Sequence, residues 1–330
     1  MGRWKMTKTA AGERKGLNWG HLIGTNVRSF QTVLILLGMI VVLSILSPYF
    51  LQVRNLLNVV RQISLIAIIG MGVTMCIITT GIDLSSSSVL ALAGVVAASF
   101  GRGAHPLGLA ILAGLLVGAV AGFINGAIAA YGEIPPFIST LGMLVGARGL
   151  ALIYSDGKPI TGLSPSFQLI GGGYVLGIPI PIYIMVVVGI ISHILLKHTK
   201  FGKYVYAIGG NEQAAIVSGI DVKKYLVLVY TYAGTLAALS GVILASRLSA
   251  GQPTAGENYN LDAIASAVIG GTSLLGGIGT IPGTIIGALI IGVLNNGLVL
   301  LNVSPYLQMV LKGVIIVAAV LIDMRARRKH

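Results

Sequence analysis

Apolar residues run along this chain in long, nearly uncharged stretches, each ended by a short polar or Gly/Pro-containing interruption. The stretches fall at 30–46, 62–80, 84–100, 107–131, 135–154, 179–196, 225–246, 260–275, 281–301 and 305–322. A hydrocarbon core of about 30 Å is crossed by about 20 residues of α-helix, so runs of this length and polarity predict spanning helices. The pattern therefore predicts an all-α polytopic membrane protein with ten transmembrane helices, and an even number of crossings returns both ends of the chain to one side. The stretch from Asn260 to Pro282 carries Gly270, Gly271, Gly276, Gly277 and Gly279 and also reads as a segment that dips in and returns.

Three polar stretches frame these runs. Residues 1–29 form a cytoplasmic N-terminal segment, 30–323 a single transmembrane domain, and 324–330 a cytoplasmic tail, with one long basic interruption at 197–224 inside the domain. After the first run, Ser47-Pro48-Tyr49-Phe50 offers no small-residue cleavage site, so the run predicts a retained helix and not a removed signal. A weak internal echo is also present. Gly118 to Gly126, followed by Pro135, resembles Gly287 to Gly297, followed by Pro305, and the two copies would run in opposite directions. Opposed repeats with short or broken helices are one way transporters build two gates around a central path, although apolar helices ending in Asn-Gly also recur by chance.

Composition agrees with the pattern: 55% hydrophobic and 9% charged residues leave too little polar surface for a water-soluble domain. A net charge of +13 would suggest nucleic acid in a soluble protein, but here the positions of the charges decide. Arg3, Lys5, Lys8, Arg14, Lys15 and Arg28 precede the first run; Lys197, Lys200, Lys203, Lys223 and Lys224 lie in the central interruption; Arg325, Arg327, Arg328 and Lys329 end the chain. Ten crossings place all of these on the cytoplasmic side, as retention of positive charge predicts, with N- and C-termini inside. Arg54, Arg61, Arg102, Arg148, Lys158, Arg247 and Lys312 are assigned to outer loops and helix ends. No nucleic-acid partner is implied, and lipid is. Cys76 is the sole cysteine, which excludes an internal disulfide.

Candidate chemistry is sparse. No GxxxxGK[ST] phosphate loop is present, so the chain carries no nucleotide-hydrolysing site of that kind, and the five histidines show no metal-ligand spacing. Within the central interruption, Asn211 is a good N-cap, Glu212 suits the positive end of a helix, and Gly219 can close one in the left-handed conformation. A two-turn helix here suits docking into a partner's groove or lying on the membrane surface, and the residues alone leave both open. Acids inside apolar runs draw attention because burying charge is costly. Asp83, before the serines 85–88, reads as a cap for the following helix or as a substrate or gate contact; Asp262 reads first as a cap; Glu133 falls in a short inner turn. Asn125, Asn295, Asn296 and Gln308 are candidates for a polar pathway and equally for interhelical hydrogen bonds. So few buried charges fit a neutral hydrophilic substrate better than charge-coupled transport. An ion-coupled carrier or facilitator stays as the alternative that the opposed repeat suggests.

Four motifs in order, TTGIDLS (79–85), YAIGGNEQAAIVSGI (206–220), QPTAGENYNLDAIASAVIGGTSLLGG (252–277) and GALIIGVLNNGLVLLNVSPYLQMVLKG (287–313), resemble the permease subunits of bacterial ABC importers for monosaccharides over nearly the whole chain. The resemblance implies a homodimer of this subunit, with ribose or a related sugar as substrate, in the bacterial inner membrane. It implies delivery by an extracytoplasmic sugar-binding protein, and ATP and Mg on a separate ATP-binding subunit, expected as a tandem double cassette. It also implies that 211–219 is the cytoplasmic coupling helix, with Gly210, Asn211, Glu212, Ala214, Ala215, Ser218 and Gly219 facing the ATP-binding subunit.

Overall fold

The computed structural model describes residues 19–103 and 105–327. Thirteen helices follow in order among them: α1 (Trp19–Leu46), α2 (Val53–Ile78), α3 (Ser86–Phe100), α4 (Leu107–Tyr131), α5 (Pro136–Ser155), α6 (Pro165–Gly172), α7 (Ile180–His198), α8 (Lys200–Gly210), α9 (Glu212–Val217), α10 (Val222–Leu248), α11 (Tyr259–Ile269), α12 (Ile281–Leu300) and α13 (Pro305–Arg327). A small antiparallel hairpin, β1 (Tyr174–Val175) with β2 (Ile178–Pro179), stands between α6 and α7. Each expected apolar run overlaps one helix, the 260–275 run only as far as Ile269. Six of these, α2, α4, α5, α7, α10 and α12, are long and apolar enough to cross a membrane. The chain is therefore an all-α polytopic membrane protein.

Helix starts follow local chemistry. Pro136, Pro165, Pro181 and Pro282 occupy first-turn positions, where the missing amide hydrogen has no intrahelical partner to lose. Thr280 and Asp221 cap α12 and α10 by accepting from Gly283 N (3.1 Å) and Lys224 N (3.0 Å). The first helix begins at Trp19, inside the segment expected to precede it. Arg3, Lys5, Lys8, Arg14 and Lys15 lie outside the described residues, as do Arg328 and Lys329.

At the centre, α2 and α10 run antiparallel: Leu65 O accepts from Ser240 Oγ (3.1 Å), and further along α2 the missing Cβ of Gly72 faces Ala233 Cα. Around this pair the elements repeat. A long span (α2, α10) is followed by an irregular stretch, a short helix (α3, α11), and a glycine-bearing span (α4, α12). Each half's short helix and glycine-bearing span pack on the other half's long span, α3 and α4 on α10, α11 and α12 on α2. The weak sequence echo thus marks an inverted arrangement.

The α4–α10 crossing is the most extensive. Gly114, Gly118, Gly122 and Gly126 recur every fourth residue on the face of α4 that meets α10. A Cβ on Gly118 would overlap the Gly234 carbonyl, and one on Gly122 would stand 2.8 Å from Thr231 Cα. Between helices in lipid, where no hydrophobic term separates protein from solvent, such backbone approach supplies the van der Waals contact.

Two expected spans are shorter than the apolar runs suggested. At 1.5 Å per residue, α3 and α11 reach only about 22 and 16 Å, against about 30 Å of hydrocarbon. Irregular backbone flanks both helices: 79–85 before α3, 249–258 before α11, and 270–280 after it. The 249–258 stretch descends along α3, with Gly251 against Ala98, Gly256 against Leu90, and Asn260 Nδ2 donating to Leu84 O (3.1 Å). Arg148, assigned from sequence to a loop or helix end, instead sits in α5 and donates to Pro253 O (2.5 Å) and Ala255 O (3.2 Å) of this stretch. Such backbone is tolerated inside a membrane protein because neighbouring protein groups satisfy it.

Candidate functional site

At one end of the bundle α8, α9 and the start of α10 form the knob that the central basic interruption encodes. Asn211 Oδ1 accepts from Ala214 N (2.9 Å), and Gly219 has φ +79°, so both expected caps are in place. Glu212 lies in the first turn and is exposed. Ala215, expected to face a partner, is instead buried with Ile208 and Val222 and seats α9 on the bundle. The outward face presents Glu212, Gln213, Ile216 and Val217, the last 88% exposed, flanked by Gly210, Ala214, Ser218 and Gly219. That Ile216 and Val217 face outward was not legible, because six helical residues are too few for an apolar period to show. Glu133, in the turn between α4 and α5, has an ion pair with Lys223 (3.2 Å) beside this knob.

Asp83 lies in the irregular stretch before α3 and is 2% exposed. One carboxylate oxygen accepts from both Ser85 N (2.8 Å) and Ser85 Oγ (2.6 Å). This corrects the capping expectation: the acid fixes the residue that precedes the helix and does not reach the first-turn amides, while Ser86 Oγ is buried without a hydrogen-bond partner. Asn125 of α4 donates to Ser85 Oγ (2.9 Å), and Ser139 of α5 donates to Asn125 O (3.2 Å). Thr140 of α5 donates to Ile82 O (3.0 Å). The Tyr230 hydroxyl, next to Gly81, is buried and without a partner. Asp83 and Asn125 are therefore brought together in one polar node, with Ser85, Ser139 and Thr140 as members the sequence did not single out.

Asp262 is not a cap either. Its carboxylate, in the first turn of α11, pairs with Lys312 Nζ of α13 at 3.2 Å, with side-chain exposures of 7% and 26%. Lys312, read from sequence as a helix-end charge, stands in the body of α13. A lone lysine inside an apolar run was the available signal that a buried acid had to face it. The other polar candidates separate. Asn296 exchanges two hydrogen bonds with Asn55 (2.9 and 3.0 Å) and joins α12 to α2. Gln308 donates to Val303 O (2.8 Å) and closes the start of its own helix, while Asn295 Oδ1 is buried with no partner.

A family model described as the branched-chain amino acid transport system / permease component matches residues 55–320. The ribose import permease protein of Haemophilus influenzae is 50% identical over 300 residues, covering 90% of this chain and 92% of that protein. The ribose import permease protein of Bacillus subtilis is 51% identical over 288 residues, covering 86% and 89%. The D-allose transport system permease protein of Escherichia coli is 39% identical over 325 residues, covering 98% of each. No solved structure matches the chain significantly.

Proposed function

Because the chain belongs to the permease family whose members include the membrane components of branched-chain amino acid transport systems, we propose that it is the membrane-spanning subunit of an ABC importer that carries ribose or a closely related monosaccharide across the bacterial inner membrane. About half of its residues are shared with two ribose import permeases over nearly their full lengths, and this carries the reading. The subunit is a permease and not itself an enzyme. ATP and Mg belong to a separate ATP-binding subunit, expected as a tandem double cassette. An extracytoplasmic binding protein delivers the sugar, and two copies of this chain enclose the path.

Ten crossings with both termini inside complete the proposal. The irregular stretches at 79–85 and 249–258 make up the reach that α3 and α11 lack. This orientation puts the α8–α9 knob and its lysines in the cytoplasm, where the ATP-binding subunit can reach them. The exposed pair Ile216 and Val217 beside Glu212 supports α9 as the coupling helix, since an apolar anchor within a polar rim is how short helices dock.

Two outcomes follow. Vesicles containing the full importer take up ribose only with ATP and the ATP-binding subunit; uptake by this chain alone, driven by a sodium or proton gradient, overturns the reading. Val217→Asp and Glu212→Arg reduce co-purification of the ATP-binding subunit by about tenfold, because a charge enters or reverses at the contact face. Their thermal midpoints stay at the wild-type value, since both side chains face outward. Undiminished co-purification in both variants removes α9 from the interface.

A further inference from the structure

The knob is joined to the membrane interior by an unusually close backbone seat. On α8 the buried face is Gly202, Val205, Ile208 and Gly209. Gly209 lies against the last turn of α2: a Cβ there would overlap the Ile78 carbonyl oxygen and stand 2.7 Å from Gly277 N. The same Ile78 oxygen accepts from Gly277 N (2.9 Å), and Tyr206 Oη donates to Gly279 O (2.6 Å). Burial pushes the Tyr206 hydroxyl up to about 12, so it holds its proton throughout the physiological range. α8 therefore rests on two stretches at once, the end of α2 and the 270–280 segment.

Ile78 is also the last helical residue before the irregular stretch 79–85. That stretch is held along its length by different elements. Gly81 N donates to Cys76 O (2.9 Å) on α2, Ile82 O accepts from Thr140 on α5, Leu84 O accepts from Asn260 on α11, and Ser85 receives Asn125 from α4. Asp83 fixes the end of the stretch through its two bonds to Ser85. A displacement of α8 has no slack to absorb it at Gly209, because the groups in contact are main-chain atoms and not swinging side chains.

We propose that Tyr206, Gly209 and Asp83 are positioning residues for coupling, and that the stretch Thr79–Ser85 carries movement of the α8–α9 knob to the ends of α4 and α5. This rests on the reading of α9 as the receiver of the ATP-binding subunit. A substrate path controlled from these helix ends would open or close as the stretch shifts, with no residue of the stretch touching the nucleotide.

The test uses the full importer in vesicles and reads sugar moved per ATP hydrolysed. Gly209→Ala and Tyr206→Phe keep the ATP-binding subunit bound and keep hydrolysis running, but lower that ratio by about three- to tenfold, while Gly108→Ala, at an open site on α4, leaves it unchanged. Asp83→Asn lowers the ratio too, and adding it to Tyr206→Phe lowers it no further than the larger single effect, because both act in series on one stretch. A ratio unchanged in Tyr206→Phe, or effects of the two substitutions that multiply, overturns the inference. Should Gly209→Ala fail to fold, Tyr206→Phe decides, since it keeps the ring and removes one hydroxyl. If wild-type importer needs no ATP-binding subunit, the functional reading falls and takes this with it; if wild type couples normally and the variants do too, only this inference falls.

Discussion

Gly118→Val and Gly122→Val are expected to abolish the folded permease, with a cost of about 3 kcal/mol or more, at the upper end of what overpacking does. The groups a new side chain meets are the Gly234 and Tyr230 carbonyls and the Thr231 Cα on the backbone of α10, with the Ala238 Cβ fixed directly to it. They cannot rotate away, so relief requires moving α4 off α10. Because α10 also holds α2 and α3, that movement would break the centre of the bundle. Gly118→Ala is the milder version and should already lower the thermal midpoint in detergent, whereas Gly108→Ala, which meets nothing within 4 Å, should not. The check is the fraction of monodisperse protein and its melting midpoint; a wild-type midpoint for Gly118→Ala would show that the crossing is looser than described.

The second large effect concerns the Asp262–Lys312 pair, and its two halves are not equivalent. Lys312→Met leaves a carboxylate that is 7% exposed without its cation, and a short side chain cannot reach water from there. Asp262→Asn leaves an ammonium on a four-carbon stem that is 26% exposed and can extend toward the interface. Breaking a buried pair costs about 3–5 kcal/mol when the remaining charge is trapped, so Lys312→Met should approach that range and Asp262→Asn should fall below it. The double substitution removes both charges and should recover most of the loss, since a buried pair is often replaceable by uncharged groups. Melting midpoints of the four proteins test this order. Equal losses in the two single variants, or no recovery in the double, would mean that the contact does not hold α13 to α11.

Much of this fold could be read from the chain because lipid demands long apolar runs and leaves little else for them to be. The α9 caps were also legible, since Asn211 and Gly219 act on amides and carbonyls within a few residues of themselves. What escaped was whatever depends on distant partners. Nothing near Asp262 announces a lysine fifty positions later, and nothing near Asp83 announces Asn125. Glycines and prolines marked the irregular stretches at 249–258 and 270–280, but not the groups that satisfy their backbone, Arg148 of α5 and Ile160 for the first and the Ile78 carbonyl at the end of α2 for the second. Likewise Ala215 and Val217, two residues apart and both apolar, point opposite ways by helical geometry, but that the first is the buried one is decided by the distant Ile208 and Val222 that cover it.

The interlocked halves have a consequence for biosynthesis. Gly118, Gly122 and Gly126 find their surface on α10, whose last residue, Leu248, leaves the ribosome about 120 residues after Gly126. At about 5–20 residues per second, α4 would wait in lipid for about 6–25 s with its bare main chain facing acyl tails. During nascent-chain synthesis, then, this face has no correct mate, and any small-residue helix nearby is a competitor for it.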